Sequence, residues 1–154
     1  MTGAPPRGLE ERLRDTRARL ESDVDLWVAT SGSPGGVHLI PLSYLWDGSA
    51  FLIATPLASV TSRNLLADGR GRLSLGPTRD VVVVEGTAEP VDLAQLAHLA
   101  PETGDAFAAK TGFDPRELDA PYQYFLIRPR RIQAWREANE LRGRDLMRDG
   151  RWLG

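Results

Sequence analysis

The chain has 154 residues, 42% of them hydrophobic and 26% charged, and carries a formal charge of −2. That is the composition of a globular protein rather than a disordered one, and a chain this long buries roughly two thirds of its unfolded surface, so a single domain over residues 1–154 is expected. The absence of Cys excludes disulfide scaffolds, thiolate metal sites and cysteine nucleophiles, and two His, His38 and His98, leave little for a metal centre or a Ser-His-Asp triad.

The charge balance offers no basic face to nucleic acid. The N-terminus, MTGAPPRGLEERL, lacks the apolar core of a signal peptide, and no apolar run approaches ~18 residues. A cytoplasmic protein without a membrane partner is therefore expected. Of the 19 basic residues all but Lys110 are Arg, a ratio that coding bias explains better than chemistry.

Residues 7–22 form the first predicted element, a helix with Leu9, Leu13 and Leu20 near one face; Pro5 and Pro6 are tolerated just before it. Its apolar stripe is thin, which suits a surface helix. Strands follow at 25–31, 37–47 and 49–56, separated by the turn cluster GSPGG (32–36) and by Asp47-Gly48. Pro41 falls inside the second strand, where it cannot donate to a ladder; this implies an edge, a bulge or a neighbouring ligand.

A short helix over 58–70 leads to strands at 72–76 and 80–91, and the run Val81–Val84 reads as a strand covered on both faces. Residues 92–118 read as broken helix. A long strand over 122–137, interrupted by Pro129, precedes a hairpin within 143–154 that turns at Asp149-Gly150. Six strands without a βαβ rhythm predict a mainly β fold, an antiparallel barrel with short peripheral helices.

The segment ATPLASVTSRNL (54–65) gathers Thr55, Ser59, Thr61, Ser62, Arg63 and Asn64 at a strand end and helix start. Helix N-termini offer unpaired N–H groups to anions, and hydroxyls with an Arg complete a phosphate cradle. Ser and Thr there serve equally as ordinary N-caps. Thr78-Arg79-Asp80 is a polar connection reaching a ligand or pairing internally. Arg128, Arg130 and Arg131, with Trp135-Arg136, form either a ligand or interface surface or a solvated basic strand. His38 and His98 read as structural, and Glu85 and Glu89 lack a partner acid for paired-carboxylate catalysis.

The order GSPGGVHLIPLSYLWDGSAFLIATP, SVTSRNLLADGRGRLSLG, DVVVVEGTAEPV, IRPRRIQAWR resembles the pyridoxamine 5′-phosphate oxidase-like split β-barrel superfamily, over roughly residues 23–153. Within it the chain is most similar to the flavin/deazaflavin-dependent oxidoreductases. The resemblance implies a six-stranded antiparallel split β-barrel and a homodimer with cofactor clefts along the subunit interface. It places Ile40, Pro41, Leu42 and Ser43 beside the cofactor ring. Thr55, Ser59, Thr61, Ser62, Arg63 and Asn64 fall at the cofactor phosphate, and Trp135 approaches from the other subunit. Many relatives carry a Lys two residues before the Arg-Asn pair; here that place is Thr61.

The function so implied is hydride transfer between the deazaflavin F420 and a small organic substrate, with an FMN-dependent oxidoreductase or a non-catalytic F420, flavin or haem binder as alternatives. No residue stands out as an essential acid or base, and Tyr44 is either a proton donor or part of the core. No metal is implied.

Overall fold

The computed structural model describes residues 3–32, 36–95 and 101–154. In chain order these form α1 (Leu9–Ser22), β1 (Asp25–Gly32), β2 (Gly36–Trp46), β3 (Phe51–Pro56), α2 (Val60–Ala67), β4 (Arg70–Leu75), β5 (Val81–Val91), α3 (Thr103–Thr111), β6 (Tyr122–Trp135), β7 (Asp145–Arg148) and β8 (Arg151–Trp152). The strands run in the order β3-β2-β1-β4-β5-β6, and a β3–β6 pairing closes them into an antiparallel six-stranded barrel. The hairpin β7–β8 extends the sheet from β6. Its turn has positive φ at both Asp149 and Gly150, the geometry that matches the twist of two-residue hairpins.

Alternation decides which side chains fill the barrel. Leu26, Val28, Tyr44, Phe51, Ile53, Leu73, Val82, Val84, Phe125, Ile127 and Ile132 are buried in one cluster, each worth about 1.5–3 kcal/mol when fully removed from water. The valine run of β5 obeys the same alternation: Val82 and Val84 are buried, whereas Val81 and Val83 face outward and are only partly covered. The expectation of cover on both faces therefore fails. Pro129 does not interrupt β6 either. The strand continues through it, and a bulge at Glu85/Gly86 leaves the next residue, Arg130, outside the register.

The barrel is split on one side. β2 pairs with β1 along Gly36–Ser43 but with β3 only at Tyr44–Trp46, after which β3 stays with β6. Among the described residues the other edge of Gly36–Ser43 has no strand partner, while helix α3 packs against β2. The Tyr44 N–H donates to the Val24 carbonyl at 2.9 Å, so Leu42 and Ile40, which alternate with it, also point their N–H groups toward β1. Pro41 points its nitrogen at the unpaired edge, where a missing donor costs the ladder nothing.

Helix α3 bridges the split from outside. Phe107 packs on the outward-facing Leu52, Ala54 and Tyr124, and Lys110 lies over the Tyr44 ring, 5.0 Å from its centroid. Just beyond the helix, Phe113 stacks on Tyr122 with centroids 5.6 Å apart. Helix α2 covers the barrel end where β1 finishes, and α1 covers the opposite end, where Leu13 and Leu20 enter the core. The buried face of α1 differs from the predicted one: Leu9 is 43% exposed, while Arg12 and Thr16 are buried. Residues 33–35 of the turn cluster, and His98, lie outside the described residues.

Candidate functional site

Ser59 caps α2: its Oγ accepts the Ser62 N–H at 3.1 Å and lies 3.0 Å from the Thr55 Oγ1. The N–H groups of Val60 and Thr61, in the first turn, keep no intrahelical acceptor. The structure thus brings Thr55 and Ser59 together at the helix start, with Val60 exposed there and Thr61 fully buried. The N-cap reading therefore holds for Ser59.

The remaining residues of the segment divide by direction. Thr61 and Ser62 are fully buried, and their hydroxyls have no hydrogen-bond partner among the described residues. Asn64 is also buried; its Nδ2 donates to the Thr30 Oγ1 at 3.0 Å, and its side chain packs so closely on Gly32 that a Cβ there would overlap it. Arg63 alone turns outward. It is exposed and makes no ion pair among the described residues, because Asp68, the obvious candidate, is clasped by Arg70 at 2.8 and 3.1 Å. Of the six polar candidates, exposed Arg63 and half-buried Ser59 are therefore the ones at the surface, beside the exposed Leu57 and Val60.

On β2, Pro41 is exposed and Ile40 and Leu42 are half-buried, all three bordering the unpaired edge. The Ser43 hydroxyl donates to Asp25 at 2.6 Å and is already committed. Trp135 pairs with Val81 at the α1 end of the barrel, opposite α2. One chain does not bring it to the other candidates.

Other expectations resolve into structure. Tyr44 is fully buried and its hydroxyl donates to the Leu20 carbonyl at 2.8 Å; burial pushes its pKa well above the usual range, which suits a core residue rather than a proton donor. Arg79 does not pair with Asp80: it reaches Glu137 at 3.4 Å, while Asp80 holds Arg19 at 3.0 Å and Arg136 at 3.4 Å. Arg128 pairs with Glu89, Arg131 with Asp145, and Arg72 with Glu85.

A surface cleft of about 670 Å³ lies on the outer face of β1, β4 and β5, lined by Ala29, Gly71, Arg70, Arg72, Glu85 and Arg130. Another, of about 730 Å³ and mostly apolar, lies between the first turn of α3 and Leu52 and Leu126 on the barrel wall. Sequence reasoning missed Lys110, Thr30 and Gly32, which acquire their neighbours only through closure of the barrel. Among the described residues no three His, Asp or Glu side chains gather to hold a metal, and no helix is long and apolar enough to cross a membrane.

Residues 14–136 match the family described as pyridoxamine 5′-phosphate oxidase. No curated protein matches the chain in sequence. The fold is similar to that of an FAD-binding protein from Mesorhizobium loti, with 17% identity over 78% of this chain and 89% of that one and a TM-score of 0.61. It is also similar to an F420 reductase, with 18% identity over 75% and 94% of the two chains and a TM-score of 0.60. A haem-binding protein from Mycobacterium smegmatis shares 20% identity over 96% of this chain and 60% of that one, with a TM-score of 0.65. At these identities the likeness is one of fold.

Proposed function

The chain belongs to the pyridoxamine 5′-phosphate oxidase family, and from that premise we propose that it is an F420-dependent oxidoreductase acting on a small organic molecule. The observation that carries the reading is the Gly36–Ser43 edge of β2, unpaired by any strand among the described residues, together with the start of α2, where Ser59 is half-buried and Arg63 exposed. An edge without a strand partner presents backbone groups to the polar rim of a planar ring, and Pro41 withholds one donor from it. Ser59, Arg63 and the first N–H groups of α2 suit a phosphate. When bound, F420 supplies hydride chemistry; the chain supplies position and exclusion of water.

The fit is selective. Thr61, Ser62 and Asn64 are buried in the single chain, with Asn64 bonded to Thr30, so Ser59 and Arg63 are the polar side chains of the segment left at the surface for phosphate. Arg63 is the one cation in residues 54–65. That suffices for a terminal phosphate, and it favours FMN as the second reading, because a deazaflavin with a longer anionic tail needs further cations.

The site is completed by a second copy of the chain. Trp27, Val37 and Leu39 stand exposed beside Pro41 on one outer face, with Val37 at 80%. Stable soluble chains cover such contiguous apolar surface with a partner. In such a homodimer we place Trp135 of the second copy at the β2 edge.

Titration of the purified protein with F420, FMN and haemin, followed by intrinsic Trp fluorescence, tests the assignment. Stoichiometric F420 binding tighter than FMN, together with F420-dependent reduction of an electron-poor acceptor, is expected. FMN that co-purifies and resists displacement by F420 replaces the first reading with the second, and haemin alone binding overturns both.

A further inference from the structure

Lys110 is the chain's single lysine among 18 arginines. It sits half-buried near the end of α3, with its ammonium over the Tyr44 ring at 5.0 Å. Among the described residues it makes neither an ion pair nor a hydrogen bond, in contrast to the buried or half-buried Arg7, Arg12, Arg19 and Arg131, which all find oxygen partners. An ammonium has three donors and hydrates strongly, so this half-buried one keeps donors free beside the ring for a further acceptor. Burial accordingly pulls its pKa below the usual lysine range, and the charge of Asp23 offsets this only in part.

Its place in the fold says which acceptor it lacks. Helix α3 bridges the split, and Tyr44 immediately follows Ser43, the last residue of the unpaired β2 edge. Helix α3 packs against β2, and the Lys110 ammonium over the Tyr44 ring lies where the unpaired edge gives way to the β3-paired stretch Tyr44–Trp46, at the end away from α2. We propose that the Lys110 ammonium is a contact for the carbonyl-bearing rim of the ring cofactor, at the Ser43 end of the β2 edge. This rests on the cofactor reading above. A positive charge there attracts the electron density that the ring gains on reduction, so Lys110 raises the reduction potential of the bound cofactor as well as its affinity. A guanidinium is broader and planar, and its fork suits carboxylates and phosphates better than a single carbonyl beside Tyr44.

The test compares wild type, Lys110→Met and Lys110→Arg. Each is titrated with F420, FMN and riboflavin, melted thermally to confirm folding, and poised with redox dyes to obtain the midpoint potential of whichever cofactor binds. The Met variant is expected to lose affinity roughly tenfold or more, by the same factor for FMN and riboflavin since the contact is to the ring, and to show a lower potential. The Arg variant, which keeps the charge, is expected to recover part of the potential. Should the Met variant fail to fold, the Arg variant and Lys110→Gln carry the same comparison. Unchanged affinity and potential in a folded variant, or a loss confined to phosphate-bearing ligands, overturns the proposal and leaves the cofactor reading standing. Failure of the wild type to bind any of the three ligands overturns the cofactor reading, and the role of Lys110 with it.

Discussion

Arg7 and Glu140, 133 residues apart in the chain, form a buried two-pronged ion pair: Nη2 meets Oε2 at 2.8 Å and Nε meets Oε1 at 3.0 Å. The backbone N–H of Arg7 adds a third bond to Oε1 at 3.0 Å, and the Arg136 N–H a fourth at 2.9 Å to Oε2. Arg12 lies alongside, donating to the carbonyls of Ala134, Glu140 and Gly143. This cluster ties the segment ahead of α1 to the loop after β6.

Removing one partner leaves the other charged and buried. Glu140→Gln is expected to lower stability by about 3–5 kcal/mol at neutral pH, read as a shift in the denaturant midpoint. Arg7 holds the Glu140 carboxyl at about 2, below its ordinary 4.5, so the folded state favours the charged form. That contribution is complete above the unfolded-state value and is lost as pH falls from about 4.5 toward 2. Wild type should therefore lose stability steeply over that window, and the Gln variant less steeply; parallel curves for the two would remove Glu140 from the acid response.

Arg63→Ala is expected to leave folding nearly unchanged, because the side chain is exposed and unpaired among the described residues. If its guanidinium meets phosphate, the variant binds FMN or F420 more weakly by about 1.5–3 kcal/mol, roughly ten- to a hundred-fold. Riboflavin binding should change far less. Equal losses for phosphorylated and dephosphorylated ligands would reduce Arg63 to scaffold.

Thr61 is completely buried with an unpartnered hydroxyl. Thr61→Val keeps its shape and removes the unsatisfied group, so stability should stay level or rise by up to about 1 kcal/mol, with cofactor affinity unchanged. A measured fall in affinity without a fall in melting temperature would show that the hydroxyl turns to the ligand.

Leu39→Asp places a charge at an exposed position between Val37 and Pro41, where a folded single chain tolerates it. The wild type should scatter light as a dimer at micromolar concentration, with an interface above ~2,000 Å² in total. The variant should scatter as a monomer with the same circular dichroism. A wild-type monomer at that concentration refutes the two-copy site.

The sequence by itself determined the strands, their turns and the family pattern, because these depend on neighbours in the chain. Period-two alternation, Asp47-Gly48 and Asp149-Gly150 are local signals, and Pro41 narrowed its own place to an edge, a bulge or a ligand's neighbour since a strand interior cannot spare its donor. Tertiary structure alone decided direction and partnership. The hydroxyl-rich start of α2 looked like a uniform phosphate cradle, yet packing on Thr30 and Gly32 turned Asn64 inward while Arg63 stayed out. The face of α1 was legible only in part for the same reason: Leu13 and Leu20 are buried as their spacing implies, but Arg12 belongs inside because three carbonyls more than 100 residues away accept from it. Lys110 acquired its place over Tyr44 only when α3 crossed the split. Hydrophobic patterning reports which face of an element is buried, but a buried polar or charged side chain is stable only against partners that the closed barrel supplies.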